Sequence, residues 1–566
     1  VSGTGTQQGR PAQPDRAAGL AASYDVIIVG AGFGGMYMLH RLRALGLSAR
    51  VLDVASDVGG TWYWNRYPGA RCDVESMQYS FSFSKELQQT WSWSERFAGQ
   101  PEILAYANHV ADRFDLRRDI QLETRVTAAH FDEQTRRWTI STDRGEQFSA
   151  QFCVMATGCL STAKLPEITG RDSYQGATYH TGYWPHEGVD FSGLKVAVIG
   201  TGSSAIQAIP VIAEQAAHLT VFQRTPNYSI PSRNGPMTPD YEGPWKSDYE
   251  RRRAKARTMR TGILYGVENE TWGLNNVSAM DVSPDERQRI YEERWAVGGT
   301  AFMAAFNDLI TNEASNDTAA EFVRSKIRET VKDPETAEAL CPHDYPIGTK
   351  RICIDTDYFE TYNRPNVKLV DLRKTPIEAI TPKGVRTTAG EQAFDAIVYA
   401  TGFDAMTGTL MSIDIRGRDG VELREKWAAG PQTYLGLMCA ELPNLFMITG
   451  PGSPSVLSNM IVSIEQHVDW LVDALAHMRA NGIETIEPRA DAEVSWGQHV
   501  NEAGHRTLYV KAASWYMGAN VPGKPRMFMP YIGGVGVYRQ ECDDVAAKGY
   551  EGFVLTRGDE RAVAAE

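Results

Sequence analysis

The sequence predicts an α/β fold made of two units of parallel sheet and helix, with a helical insertion in the second. Two observations predict the paired units. An apolar run, Tyr24-Asp-Val-Ile-Ile-Val-Gly30, leads straight into Gly30-x-Gly32-x-x-Gly35, and Leu194-Lys-Val-Ala-Val-Ile-Gly200 leads into Gly200-Thr-Gly202-Ser-Ser-Ala205. A third predicts the insertion: between about residues 236 and 346 strand-like runs give way to helix-start signals. No period of 20–50 residues appears beyond this duplication.

The first run is short and apolar, as a strand buried within a parallel sheet requires. Residues Met36 to Leu45 follow with apolar side chains on one helical face. Glycines between strand and helix let the chain turn tightly and bring its backbone against a pyrophosphate at the helix N-terminus. The next strand, Ala49-Arg-Val-Leu-Asp53, ends in a carboxylate 23 residues after Gly30, where a ribose-hydroxyl acceptor belongs. A glycine turn alone can be empty of ligand. Strand, turn, helix, strand and acid in register read instead as a Rossmann-like dinucleotide site.

In the second unit the same count of 23 from Gly200 falls on Gln223, in Leu219-Thr-Val-Phe-Gln223-Arg224. The acid is absent and Arg224 follows. A carboxylate there would repel a 2′-phosphate, whereas a guanidinium binds one in a bidentate manner. The first site therefore suits FAD, with Gly30, Gly32, Gly35 and Asp53 as contacts. The second suits NADPH, with Gly200, Thr201, Gly202, Ser203, Ser204, Gln207 and Arg224. A solvated surface charge is the alternative for Arg224.

Two further segments, Phe152-Cys-Val-Met-Ala-Thr-Gly158 and Phe394-Asp-Ala-Ile-Val-Tyr-Ala-Thr-Gly402, are apolar strands closing on Ala-Thr-Gly. Each reads as the return of the chain between the units, or alone as an ordinary strand end. The FAD unit is then expected over 21–162 and 392–556, and the NADPH unit over 163–235 and 347–391. The insertion spans 236–346. Within it Ser283-Pro284-Asp285-Glu286 is a capping box, Asp333-Pro334 opens another helix, and Ala320, Val323, Ile327 and Val331 share a helical face.

Bulk properties exclude several classes. A chain of 566 residues exceeds the roughly 250–300 residues that one core serves. A formal charge of −13 argues against nucleic acid as a partner, and no apolar run approaches the ~18 residues of a membrane span. Seven scattered cysteines without a CxxC pair fit reduced thiols in a cytoplasmic protein, and no metal site is expected. Residues 1–20 and 557–566 read as tails, and a monomer is expected.

What a flavin and a nicotinamide do together depends on the residues around them. A disulfide reductase would need a cysteine pair, and none is placed for it. The chain offers instead Tyr174-x-Gly176-x-x-x-His180-x-x-x-Trp184-Pro185, just before the second turn. This resembles the fingerprint of the Baeyer–Villiger monooxygenase family, with Tyr174 where Phe is usual. The resemblance runs from about residue 24 to 556. It includes Gly59-Gly-Thr-Trp-Tyr-Trp-Asn-Arg-Tyr-Pro-Gly-Ala-Arg-Cys-Asp73, Gly348-Thr-Lys-Arg351, Gly450-Pro-Gly-Ser-Pro-Ser-Val-Leu-Ser-Asn-Met460 and Ala513-Ser-Trp515 onward to Lys524. It is strongest to the members that oxidise phenylacetone and steroids.

The resemblance implies that NADPH reduces FAD, O₂ gives a C4a-peroxyflavin, and that species converts a ketone to an ester or lactone. Such chemistry needs a cation, a shielding nicotinamide and a dry pocket. By the resemblance, Arg351 is the catalytic cation and Asp73 the carboxylate that holds it. Gly60, Thr61, Trp62, Tyr79, Val126 and Met460 are implied on the flavin side, and Asp73 as a cofactor contact on the nicotinamide side. Lys350 and Thr225 are implied beside Arg224 on the 2′-phosphate, and Trp515 on a loop over NADP. His180 is implied as a coupling position outside the chemistry. Cys72, Val74, Cys159, Leu160, Phe403, Leu457, Met460 and Tyr516 are candidate pocket walls. Sulfide oxidation is an expected side activity. The alternatives are an N-oxygenating flavin monooxygenase and a sensor that binds FAD and NADPH without turnover.

Overall fold

The computed structural model describes residues 20–265 and 275–558. Almost all of the two expected tails lies outside the described residues.

The first glycine turn belongs to a sheet with a parallel centre. Leu20–Val29 pairs in parallel with Ala49–Leu52 on one side and with Gln147–Met155 on the other, placing Val26 opposite both Ala49 and Phe152. Val26, Ile27 and Ile28 are wholly buried, as a strand covered on both faces demands. An antiparallel meander, Val126–Asp132, Arg137–Thr142 and Gln147–Met155, extends the sheet. The helix Phe33–Leu45 leaves the turn and packs on the 22-residue helix Met460–Asn481.

The second turn belongs to a five-stranded sheet, parallel throughout. Its order is Val367–Asp371, His218–Gln223, Lys195–Ile199, Ala396–Tyr399 and Ala177–His180. Ala396–Tyr399 is thus an inner strand of the second unit. The unit boundary expected at 391/392 moves past Tyr399, because this apolar run fills the gap between two parallel neighbours.

The insertion also differs from expectation. Its helix starts are as read: Ser283 Oγ accepts from the N–H of Glu286 at 3.2 Å, and an Asp333 oxygen accepts from that of Thr336 at 2.9 Å. It does not pack as one body, however. Trp245, Tyr249 and Ile263 join the core of the first unit, whereas Tyr291, Phe302, Phe322 and Val323 join that of the second. Only its second half belongs to the NADPH-side unit.

The two Ala-Thr-Gly segments are more than strand ends. Gly30 has φ 110 and Gly200 φ 116, and a Cβ on either would strike the carbonyl of Ala156 or Ala400 respectively. Each segment lies across a glycine turn in the same way, so both turns need glycine for φ and for space. Gly35 is equally constrained, since a Cβ there would collide with the carbonyl of Gly30.

Candidate active site

In parallel α/β sheets ligands gather beyond the carboxyl ends of the strands. Here a cavity of about 1510 Å³ lies there, walled by both glycine turns and both Ala-Thr-Gly segments. On the first-unit side Gly30, Gly32, Asp53, Gly60, Thr61, Trp62, Tyr79, Val126 and Met460 all line it. Gly35 does not; it serves the turn from behind.

Asp53 is buried, and its two oxygens accept from the N–H groups of Ala31 at 2.5 Å and Ala55 at 2.8 Å. Burial pushes its pKa up while these backbone bonds oppose the rise. Across the cleft Gly60 meets Gly32 so closely that a Cβ on Gly60 would lie 2.8 Å from the Cα of Gly32. Trp62 donates to the Tyr79 hydroxyl at 3.1 Å. A glycine cradle with a carboxylate at its edge fits the dinucleotide end of FAD.

The second-unit side is lined by Gly200, Thr201, Gly202, Ser203, Ser204, Gln207, Arg224, Thr225 and Lys350. A Cβ on Gly202 would meet nothing within 4 Å, so this turn opens freely onto the cavity. Gln223, at the position of the missing acid, is wholly buried and gives its amide to the carbonyl of Ala339 at 2.7 Å. Arg224 has no ion-pair partner among the described residues. Lys350 stands over the Tyr345 ring at 4.5 Å. Burial, and then the nearby charge of Arg224, lowers the pKa of Lys350. Two neighbouring cations, neither of them in an ion pair among the described residues, fit a phosphate.

Four of these polar residues have protein partners of their own, Ser204 with the Thr181 hydroxyl at 3.1 Å among them. Thr201 donates to the carbonyl of Thr225 at 2.8 Å, and Ser203 lies 3.1 Å from the Cys353 thiol. Gln207 reaches into the first unit: it accepts from Tyr67 at 2.8 Å and donates to the Arg71 carbonyl at 3.1 Å. Nothing in the sequence signals this bridge, which joins segments more than 130 residues apart.

Asp73 and Arg351 meet at the junction of the units. Arg351 Nε and Nη2 lie 3.3 and 3.2 Å from Asp73 Oδ2, and Nη1 lies 3.4 Å from the carbonyl of Val456. Gln207 Nε2 stands 3.4 Å from the other Asp73 oxygen. Both residues line the cavity; the aspartate side chain is 8% exposed and that of Arg351 36%, so the guanidinium is the more open of the two. Burial pushes the Asp73 pKa up, with Arg351 pulling back. Burial works against the charge of Arg351, but Asp73, the first of the groups opposing it, helps to hold the guanidinium pKa above its usual range.

Trp515 lines the cavity from a short 3₁₀ turn, Trp515–Met517. The loop beyond it is pinned to the second crossover: Asn520 donates to the Phe403 carbonyl at 2.7 Å, and Lys524 pairs with Asp404 at 2.6 Å. Of the other expected walls, Cys72, Val74, Cys159, Leu160 and Phe403 line the cavity. Leu457 and Tyr516 do not; Tyr516 packs behind, on Tyr509. His180 also lies outside. Its Nδ1 accepts from the N–H of Gly182 at 2.9 Å, so Nε2 donates to the Lys164 carbonyl at 3.2 Å. That carbonyl also accepts from Thr401 at 2.6 Å, and burial lowers the His180 pKa. His180 thus sits where the two crossovers touch. Trp184 is core, buried against Tyr179 and Phe191.

Two nucleotide-binding units facing one cavity, with an Arg–Asp pair between them, define a two-dinucleotide oxidoreductase. Residues 27–244 match the family model described as pyridine nucleotide-disulphide oxidoreductase. All seven cysteines are nevertheless free and buried. A Baeyer–Villiger monooxygenase of Pseudooceanicola batsensis is 41% identical, with 96% of this chain and 98% of that protein aligned. The phenazine N-monooxygenase PhzNO1 of Lysobacter antibioticus is 43% identical over 94% and 97%. A solved steroid monooxygenase bound to NADP superposes with a TM-score of 0.90 at 52% identity, covering 95% of this chain and all of that one. The chain belongs to the Baeyer–Villiger monooxygenase family of flavin enzymes.

Proposed function

We propose that the protein oxidises ketones to esters or lactones with NADPH and O₂, holding FAD in the first unit and NADPH in the second. The observation that carries the reading is the Asp73–Arg351 pair, a cation kept charged by a buried carboxylate and open to the cavity between both sites. When bound, FAD and NADPH together supply the reduction of O₂ that lets one oxygen atom enter beside a carbonyl. The protein's own part is positioning and charge. Asp53 keeps lone pairs beyond its two backbone bonds for ribose hydroxyls. Arg224 and Lys350 hold the 2′-phosphate. Asp73 fixes one edge of the Arg351 guanidinium, leaving its remaining donors for the substrate oxygen as that oxygen gains negative charge. The Trp515 loop excludes water from the same space.

Sulfides are a side substrate of this reading; the free thiols support a cytoplasmic location, and the net charge of −13 speaks against a nucleic-acid partner. An N-oxygenating relative at 43% identity makes the product the deciding quantity. The test is NADPH consumption with a panel of ketones and amines, the products identified by mass. Ester formation is expected. Oxidation of amines only, or NADPH use indifferent to any substrate, would refute the reading.

A further inference from the structure

The segment Thr449–Val456 walls the cavity and carries the carbonyl that faces Arg351, and its backbone is bent against its own preference. Thr449 has φ 58 and Ser455 φ 39. A β-branched threonine stays in the left-handed region only where its surroundings hold it there. The Thr449 carbonyl accepts from the Cys159 thiol at 3.2 Å and from Ser455 Oγ at 3.4 Å. Its N–H donates to Nδ1 of His467 at 2.9 Å.

His467 lies in the helix Met460–Asn481, is wholly buried, and is not a wall of the cavity. A backbone N–H can only donate, so Nδ1 is the unprotonated nitrogen and the ring proton sits on Nε2. Nε2 has no hydrogen-bond partner among the described residues; the ring packs against Tyr538 with centroids 5.5 Å apart. A buried polar atom without a partner is costly, and here it accompanies an acceptor aimed at the N–H of the strained Thr449.

We infer that His467 is a positioning residue for oxygen insertion: its Nδ1 holds Thr449 in the left-handed conformation and so fixes the turn whose Val456 carbonyl steadies Arg351. The inference rests on the function given above for Arg351. Burial pulls the imidazole pKa down to about 3, so the acceptor is present throughout the neutral range.

The test uses the flavin-loaded enzyme and counts ester and hydrogen peroxide formed per NADPH. His467→Phe keeps a ring of similar size and removes the acceptor. It should bind FAD and accept electrons from NADPH normally while its ester yield per NADPH falls about tenfold, the difference appearing as peroxide. His467→Gln, which restores an acceptor, should keep most of the yield. Adding Thr449→Gly to His467→Phe should recover yield, because glycine needs no support at this φ. A merely structural histidine would give no such rescue. Wild-type yield in flavin-loaded His467→Phe, or no recovery in the double variant, overturns the proposal. If His467→Phe does not fold, a folded but uncoupled His467→Gln overturns it equally. Absence of ester from the unmutated enzyme would refute the functional reading and this inference together. A normal wild type beside an unaffected His467→Phe refutes the inference alone.

Discussion

Replacing Arg351 by alanine should separate the two halves of the reaction. The side chain places two nitrogens 3.3 and 3.2 Å from Asp73 and keeps 36% of its surface toward the cavity. Its removal leaves Asp73 buried with only the Gln207 amide, 3.4 Å away. Arg351 opposes the rise that burial imposes on the Asp73 pKa, with Arg71 a weaker second, so in the variant that pKa moves further up. Loss of one preorganised donor in a water-poor site costs about 10²–10³ in rate, or about 2.7–4 kcal/mol of barrier. Hydride transfer depends on stacking and distance, so flavin reduction should stay within about tenfold of wild type. Arg351→Lys should recover little, since a point charge cannot reproduce the two-nitrogen grip on Asp73. Anaerobic stopped-flow mixing with NADPH, followed by oxygen, follows each half by flavin absorbance, with peroxide and ester measured at the end. The variant should consume NADPH and release peroxide with little ester. Near-normal ester yield would refute the assignment, and a flavin that no longer reduces would move Arg351 to the nicotinamide side.

Arg224→Ala should weaken NADPH binding by about ten- to a hundredfold, equivalent to ~1.5–3 kcal/mol, and leave NADH nearly unaffected. An unchanged coenzyme preference by titration would refute the phosphate site. His180→Ala should bind FAD with a normal flavin spectrum yet turn over more slowly, because the contact between the crossovers is lost; a wild-type rate would make that contact incidental. Asp355 is buried, accepts from Ser229 at 2.5 Å, and has its pKa pushed by burial from 3.8 to about 6. The folded state then binds the proton more tightly than the unfolded one. Stability from this group is present below the unfolded value and is lost as pH rises through about 6. Asp355→Asn should therefore raise the Tm at neutral pH by an amount worth about 2–4 kcal/mol and flatten its decline between those two values. A lower Tm across the range would contradict this.

What could be read from the sequence was local. Both glycine turns, Asp53, Arg224 and the caps at Ser283 and Asp333 are set by residues a few positions apart, and each is where its spacing puts it. What could not be read depends on distant backbone. The fit of Gly200 against Ala400 and the place of Ala396–Tyr399 follow from sheet order, which an apolar run alone does not encode. The split of the insertion between two cores is equally silent, since Trp245 and Phe302 are both simply aromatic residues until packed. Asp73 and Arg351 stand 278 residues apart, so family resemblance points to the pair and spacing does not. The Gln207 bridge and the His467 support had no sequence signal, because each is a single polar side chain on an otherwise ordinary helix.

The most direct test of the central claim is to supply heavy-isotope O₂ and NADPH with a mixed set of ketones and to analyse the products by mass spectrometry. The function proposed here requires an ester or lactone heavier than its ketone by one labelled oxygen atom, with one NADPH used for each. Unlabelled product, or labelled peroxide and water with every ketone returned intact, would contradict it.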